Sequence, residues 1–441
     1  MATLHPVLLD QLNRAVRTTE RAKMYTARDI RLPDIPGKVH AVIGMRRAGK
    51  TTFLRQLQAE RRQALPPERA IYLTFDDDRL AGIDAEQLSL LLEEYYRRYP
   101  ALRNEETVHW YLDEIQLVDG WERFIRRAGD TESIEFVVSG SSARLLSKEV
   151  HTSLRGRSIA TVVRPFSFRE FLRHRGEEPQ EEPELWTPSV RSMIENRFDQ
   201  YLRGGGFPEA QGVEARARVT LLQGYVDSVL FRDIVERYQV RQVAALRWLV
   251  RFLLRNPAGK VNTRRLYDDL RSQGLAVGRD TVSDLLEHVS DAFLIDLVSL
   301  ATDSERKRNT NPRVAYPVDT GLIQAFDASG RLRIGRALET AVEGELARRQ
   351  LDVTYYRSPE GYEVDFLVRD YEGNDDLVQV CADVSSEETL ARELRALEAA
   401  AEEYPHARRT LLVLTRDDAM SVDAAGVNVQ PAYEWLLKGM S

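Results

Sequence analysis

Gly44-Met45-Arg46-Arg47-Ala48-Gly49-Lys50-Thr51 match the pattern G-x-x-x-x-G-K-[ST] in full. Residues of these types at this spacing suit one task, which is holding a chain of phosphates. Successive backbone N–H groups of such a loop turn inward around the β- and γ-phosphates, and the helix that follows adds the positive end of its dipole. Lys50 is then placed to reach the β/γ-phosphates and Thr51 to complete a Mg²⁺ shell. Arg46, Arg47, Ala48, Gly49 and Thr52 complete the expected nucleotide-binding set. The chain has only seven lysines, which leaves little room for a chance match. The elements on either side fit as well. Residues 40–43 read as a short buried strand, and residues 52–57 open a helix with Phe53, Leu54 and Leu57 on one face.

A second constellation lies downstream. Residues 108–112 form an apolar run that ends in Asp113 and Glu114, the Walker B pattern. Asp113 is expected to hold Mg²⁺ through water, and Glu114 to orient and deprotonate the attacking water. Alone, two acids at a strand end can be simple solvation; after a phosphate loop, with one strand (residues 70–75) between, they read as chemistry. A fourth strand, 134–138, runs into Ser139-Gly140-Ser141-Ser142. Either Ser139 or Ser141 could sense the γ-phosphate, although serines also end strands as turn formers. Beyond a helix containing Leu145 and Leu146, Arg155 and Arg157 flank Gly156. Either arginine could act as a finger on the γ-phosphate of a neighbouring copy, or serve only as surface charge.

Together these residues resemble the AAA-type ATPases of bacteria and archaea that carry an uncharacterised C-terminal extension. The resemblance rests on residues 44–52, Tyr111-Leu112-Asp113-Glu114-Ile115-Gln116, Ser139-Gly140-Ser141-Ser142 and Leu154-Arg155-Gly156-Arg157. It continues through Pro165-Phe166-Ser167-Phe168-Arg169-Glu170-Phe171, Gly204-Gly205-Gly206-Phe207-Pro208-Glu209, residues 316–322 and Glu363-Val364-Asp365-Phe366-Leu367. It implies an α/β P-loop AAA+ fold with an extra strand between the Walker motifs and a helical lid. ATP and Mg²⁺ are the implied ligands, and the implied assembly is a homo-oligomer, with a hexameric ring as one arrangement.

The elements that must position these groups follow in order. Residues 1–35 make an N-terminal helical extension, with Leu8, Leu9, Leu12 and Val16 at helical spacing. Residues 36–165 form the ATPase domain and residues 166–240 an all-helical lid. Within the lid, the acidic, proline-broken segment 177–183 reads as a mobile loop. Residues 241–320 carry three helices, centred on Leu249, Leu266 and Leu285, and then strands over 293–298 and 313–316. Helix-turn-helix plus hairpin is the winged-helix pattern. Its third helix bears Asp280, Asp284, Glu287 and Asp291, which phosphates would repel. The hairpin carries Arg306, Lys307, Arg308 and Arg313, so DNA contact is expected there if anywhere.

Residues 321–441 read as helix, three strands, helix, strand, which resembles a restriction-endonuclease-like core. That chemistry needs an acid on the second strand and Glu-x-Lys on the third. Asp365 supplies the first acid and Glu339 could add a helix carboxylate. Gln379 and Cys381 stand where Glu and Lys should be, and no lysine lies between Lys307 and Lys438. The domain is expected not to cut. Cys381 reads as a packing residue, because no histidine has suitable spacing.

Composition limits the remaining choices. With 43% hydrophobic and 30% charged residues the balance is that of a globular protein. The net charge of −7 offers no global attraction to nucleic acid, so any DNA contact must be local. One cysteine excludes an internal disulfide. No apolar run approaches the ~18 residues of a membrane span, and the first ten residues lack a leader pattern, so a cytoplasmic protein without membrane contact is expected. The leading expectation is an ATPase that hydrolyses ATP at subunit interfaces to translocate on or remodel DNA, branched DNA being one form of substrate. The alternatives are a nucleotide-dependent switch that binds a protein partner and, less favoured, an ATP-dependent nuclease.

Overall fold

The computed structural model of the 441-residue chain describes residues 3–17, 25–140, 156–327 and 333–438. It divides into two compact units, Met1–Arg164 and Pro165–Ser441.

The first unit is built on five strands: β1 (Val39–Ile43), β2 (Ala70–Thr74), β3 (Val108–Asp113), β4 (Ile134–Ser139) and β5 (Ser158–Val162). All pair in parallel, in the order β2-β3-β4-β1-β5. Every residue of β3 is buried. Helices cover a parallel sheet on both faces, so its strands read as continuous apolar runs, as 70–75 and 108–112 do. The register aligns Val42 with Ser139, Leu112 with Val138, and Thr74 with Asp113. Parallel strands in this register bring the ends that carry Ile43, Asp113 and Ser139 to one rim of the sheet. Trp110 anchors the interior, edge-on to Tyr95 and to Phe136. The strand β5, which completes the sheet beside β1, escaped the sequence reading, because Ser-Ile-Ala-Thr-Val has neither strict alternation nor a fully apolar run.

In the second unit, Phe168–His174 is started by a reciprocal Ser167–Glu170 capping box. Helices Pro188–Gly204 and Ala215–Ser228 follow, the latter running into a π-helical stretch, Val229–Val235. The segment expected to be mobile is tied down. Glu177 takes two 2.6 Å hydrogen bonds from Arg197, Glu178 accepts from Arg173 at 2.6 and 2.7 Å, and Pro183 is buried. Glu177 and Glu178 find arginine partners on flanking helices that the local composition could not reveal, while Glu181 and Glu182 are exposed.

Three helices come next, Val243–Arg255, Thr263–Ser272 (capped by Asn262) and Arg279–Asp291. With them come β6 (Gly259–Val261), β7 (Ile295–Leu300) and β8 (Arg313–Pro317). The strand expected over 293–298 begins two residues later, because Phe293 turns through a left-handed φ of 56°. The helix Ile334–Arg348 then leads to β9 (Asp352–Arg357), β10 (Glu363–Arg369), β11 (Asp375–Val380), the helix Glu387–Glu403, β12 (Arg408–Val413) and β13 (Asn428–Pro431). These strands make one mixed eight-stranded sheet, ordered β13-β12-β11-β10-β9-β7-β8-β6. Its join is a parallel pairing of β7 with β9, Ser299 against Thr354 and Leu300 against Tyr355. One apolar cluster contains Phe168, Phe171, Tyr201, Tyr316, Phe366 and Tyr433, so segments 166–240, 241–320 and 321–441 share a core.

Candidate functional site

The loop after β1 turns because Gly44 adopts φ 138°, and a Cβ there would lie 2.2 Å from the Val163 carbonyl oxygen. Gly49 (φ 103°) and Arg47 (φ 67°) are also left-handed, which curls the loop before helix Lys50–Arg61 begins. Ala48 is fully buried beneath it. Lys50 is buried, and its Nζ donates to the carbonyls of Gly44 at 3.0 Å and Met45 at 3.1 Å. Thr51 and Thr52 occupy the exposed first turn of the helix.

Asp113 is where the second constellation meets the first. Its Oδ2 accepts from Thr51 Oγ1 at 2.8 Å and from the Tyr72 hydroxyl at 2.6 Å. Its Oδ1 accepts from the Ser139 hydroxyl, and Ser139 Oγ in turn accepts the Glu114 N–H at 3.2 Å. Ser139, on β4, therefore lies between the two Walker elements; Ser141 and Arg155 fall outside the described residues. Tyr72 was not legible as a site residue. The only signal was its position two residues before the end of β2, on the strand next to β3. Burial and then the Asp113 charge push its phenol above the ordinary range, so it stays a donor. The Arg55 guanidinium lies over its ring, 3.6 Å from the centroid.

Glu114 adopts a left-handed conformation (φ 55°, ψ 41°) just past the strand, and its carboxylate accepts from Gln116. Burial raises its pKa, opposed by the positive charges of Lys50 and Arg46. A buried carboxylate facing cations across a phosphate loop has the basicity that proton abstraction needs.

The donor set suits Mg²⁺. Among the described residues no three His, Cys, Asp or Glu side chains form a metal-holding group. Magnesium needs no such cage, since it keeps waters and binds through one or two protein oxygens together with phosphates. The hydroxyl of Thr51 and the carboxylate of Asp113 are adjacent hard oxygen donors of that kind.

Arg157 lies elsewhere. It precedes β5, its carbonyl accepts from Val39 N at 2.8 Å, and its exposed guanidinium pairs with Asp130. That is the rim of the sheet opposite the phosphate loop, about 16 Å away across the five residues of β5.

In the second unit, the turn between β7 and β8 is a short helix, Glu305–Thr310, rather than an open wing tip. Arg306 and Lys307 are exposed, and Arg308 reaches Glu305 at 3.5 Å and the Thr302 carbonyl at 3.2 Å. Arg313 is not grouped with them: it opens β8 and pairs with Glu287 at 2.7 Å.

A cavity of about 770 Å³ is lined by Glu339, Asp365, Gln379, Cys381 and Glu393. Val380 N donates to Asp365 Oδ2 at 3.0 Å, Asp365 N to Gln379 Oε1 at 3.1 Å, and Gln379 Nε2 to Glu393 at 2.6 Å. Burial and the neighbouring Glu339 push the Asp365 carboxyl well above its usual range. No helix of the described residues is long and apolar enough to cross a membrane.

Comparison with known proteins agrees with the geometry of the first unit. Residues 36–172 match the family model described as an AAA domain, and residues 195–333 match a domain of unknown function. Among solved structures, the chain is similar to the Walker-type ATPase PABY2304 of Pyrococcus abyssi, at 14% identity over 73% of this chain and 95% of that one, with a TM-score of 0.37. It is also similar to the Aeropyrum pernix ORC1 protein, solved in complex with DNA, at 17% identity over 74% and 93%, with a TM-score of 0.26. An uncharacterized protein of Haemophilus influenzae is 27% identical over 75% of this chain and 79% of its own. The uncharacterized protein MJ1544 of Methanocaldococcus jannaschii is 30% identical over 98% of this chain and 94% of its own. With its phosphate loop, its acid-ended third strand and this near full-length match, the chain belongs to the AAA-domain family of MJ1544.

Proposed function

We propose that the chain is a Mg²⁺-dependent ATPase whose hydrolysis drives movement on, or remodelling of, DNA. The observation that carries the reading is the convergence of Thr51, Tyr72 and Ser139 on Asp113 beside the phosphate loop, with the Glu114 N–H held by the same Ser139. On this reading the loop amides and Lys50 bind the β- and γ-phosphates, with Lys50 exchanging its carbonyl partners for phosphate oxygens. Thr51 and Asp113 would hold Mg²⁺, which when bound neutralises charge on those oxygens. Glu114 orients a water and takes its proton at the carboxylate, and Ser139 reports the γ-phosphate to Asp113 and to the Glu114 backbone. Arg157, on the far rim, acts only on a neighbouring copy, as Arg155 would, so the active form is a homo-oligomer.

The DNA part of the reading rests on the second unit. Helices Val243–Arg255, Thr263–Ser272 and Arg279–Asp291 with the β7–β8 hairpin support a winged-helix assignment. Arg306, Lys307 and Arg308 on its tip are the proposed phosphate contacts; Arg313, held by Glu287, contributes less. The β9–β13 segment supports an endonuclease-like assignment without cleavage, because Gln379 spends its amide on Glu393 and Asp365 is held by the Val380 N–H. ATP turnover, with and without DNA, tests the proposal. Lys50→Ala or Glu114→Gln abolishing turnover, and Arg306→Ala/Lys307→Ala/Arg308→Ala abolishing DNA stimulation, are the expected results. Wild-type protein that hydrolyses no ATP overturns it.

A further inference from the structure

The helix Val243–Arg255 has the sequence VAALRWLVRFLLR, with three arginines and no acidic residue. Arg247, Arg251 and Arg255 recur every fourth position, so they share one stripe, and all three are exposed. Among the described residues none of the three is ion-paired, in a unit where Arg173, Arg191, Arg197, Arg203 and Arg313 each hold a carboxylate. The opposite holds on Arg279–Asp291, where four acids outnumber one arginine. The fold thus concentrates unneutralised positive charge on a helix other than the one at the recognition position of a winged helix.

The stripe borders a cleft of about 340 Å³ between this helix, Ala215–Ser228 and the end of Thr320–Phe326. Asp227 and Asp327 also line it, leaving arginine in excess. An exposed aromatic ring lies beside the stripe, at its Arg247 end. The π-helical turn Val229–Val235 widens the backbone and leaves Phe231 at the surface, with the Arg247 guanidinium 4.9 Å from its ring centroid. A π-turn is rare and is frequently found at functional sites.

We infer that Arg247, Arg251, Arg255 and Phe231 form a binding track for single-stranded nucleic acid. Four residues of helix advance about 6 Å, which matches the scale of the step between phosphates on a stretched strand, so consecutive arginines meet consecutive phosphates. Phe231 offers a stacking face, which only an unpaired base can use, and that favours a single strand over a duplex. An acidic protein segment would satisfy the arginines but make no use of the exposed Phe231 ring. The inference rests on the DNA-acting reading above, yet it names a surface that the hairpin tip does not include.

The test is fluorescence anisotropy of labelled oligo-dT with the full-length protein, between about 50 and 200 mM salt. Converting all three arginines to alanine should weaken binding at least about tenfold and flatten the log–log salt slope by about 2, from roughly 0.7 per phosphate on a single strand. The Arg→Lys triple variant should restore the slope, and Phe231→Ala should weaken oligo-dT binding while leaving the slope in place. DNA-free ATP turnover of the alanine triple should equal wild type, which separates lost contact from lost fold. If wild type binds oligo-dT and the alanine triple binds it equally, the inference fails while the ATPase reading stands. Wild type that binds oligo-dT through the stripe but hydrolyses no ATP leaves the inference standing and removes that reading. Wild type that binds poly-glutamate through the stripe and ignores oligo-dT overturns the inference in favour of an acidic protein partner.

Discussion

The phenol of Tyr72 donates to Asp113 Oδ2 at 2.6 Å from the neighbouring strand, so the acid expected to serve the metal is oriented by a residue outside either Walker motif. Tyr72→Phe keeps the ring under Arg55 and removes only the donor. Stability should fall by about 1 kcal/mol, the usual value of one hydrogen bond. The Mg²⁺ concentration that half-saturates ATP turnover should rise several-fold, read from a magnesium titration. An unchanged titration would show that Asp113 needs no such support.

Glu114→Gln removes the proton acceptor and keeps the shape. Turnover should drop by about 10²–10⁴-fold while nucleotide binding persists. Because burial raises the Glu114 pKa, the acid limb of the wild-type pH–rate profile should lie above the range of an ordinary glutamate. Only the deprotonated form accepts a proton, so the rate falls as pH drops through that raised value. A limb at the ordinary position would assign the base elsewhere.

Arg157 is separated from its own phosphate loop by the length of β5. Arg157→Ala should therefore leave nucleotide binding intact and reduce turnover by about 10³-fold or more if it is the finger rather than Arg155. Mixing this variant with Glu114→Gln subunits should recover activity, since a neighbour's intact Arg157 can then serve an intact Glu114. No recovery in the mixture would mean the arginine does not act between subunits.

Asp319 is buried, accepts from Gly206 N at 2.6 Å and Gly321 N at 2.9 Å, and has its pKa raised to about 6 by burial. A folded-state pKa above the unfolded value means the native protein holds the proton more tightly. The associated stability is complete below the unfolded value near 3.8 and is lost as pH rises through about 6. Asp319→Asn does not titrate, so wild type minus variant should fall by about 2 kcal/mol between pH 4 and 7 in denaturant melts. A constant difference would refute the shift.

Gly205 belongs to the same node, with φ 73° and a built Cβ 1.9 Å from Asp319 Oδ1. Gly205→Ala should cost at least about 3 kcal/mol and lower the melting temperature of the second unit. A variant that melts like wild type would show that the node can shift to admit a methyl group.

What could be read from the chain beforehand follows from how local each signal is. The phosphate loop spans eight consecutive residues and β3 ends in its own acids, so both were visible as strings. Tyr72 reaches Asp113 only because strand order makes β2 and β3 neighbours, which no short pattern encodes. The triple glycine 204–206 read as a helix stop, and it is one; that it also makes room for Asp319, 113 positions away, required the fold. Charge misled in the other direction. Residues 177–183 looked unanchored because their partners, Arg173 and Arg197, lie on flanking helices. The stripe on Val243–Arg255 was hidden because its leucines, which mark the buried face, dominated the periodicity.

The pairing of β7 with β9 has a practical bearing on dissecting this protein. Expressed separately, a piece ending before residue 328 would carry a raw edge at Ser299 and Leu300, and a piece starting after residue 332 would carry its mate at Thr354 and Tyr355. Unprotected edges of that kind seek any available strand. Such halves should be sticky alone and should reassociate when co-expressed, behaving as complementary fragments rather than as interchangeable modules.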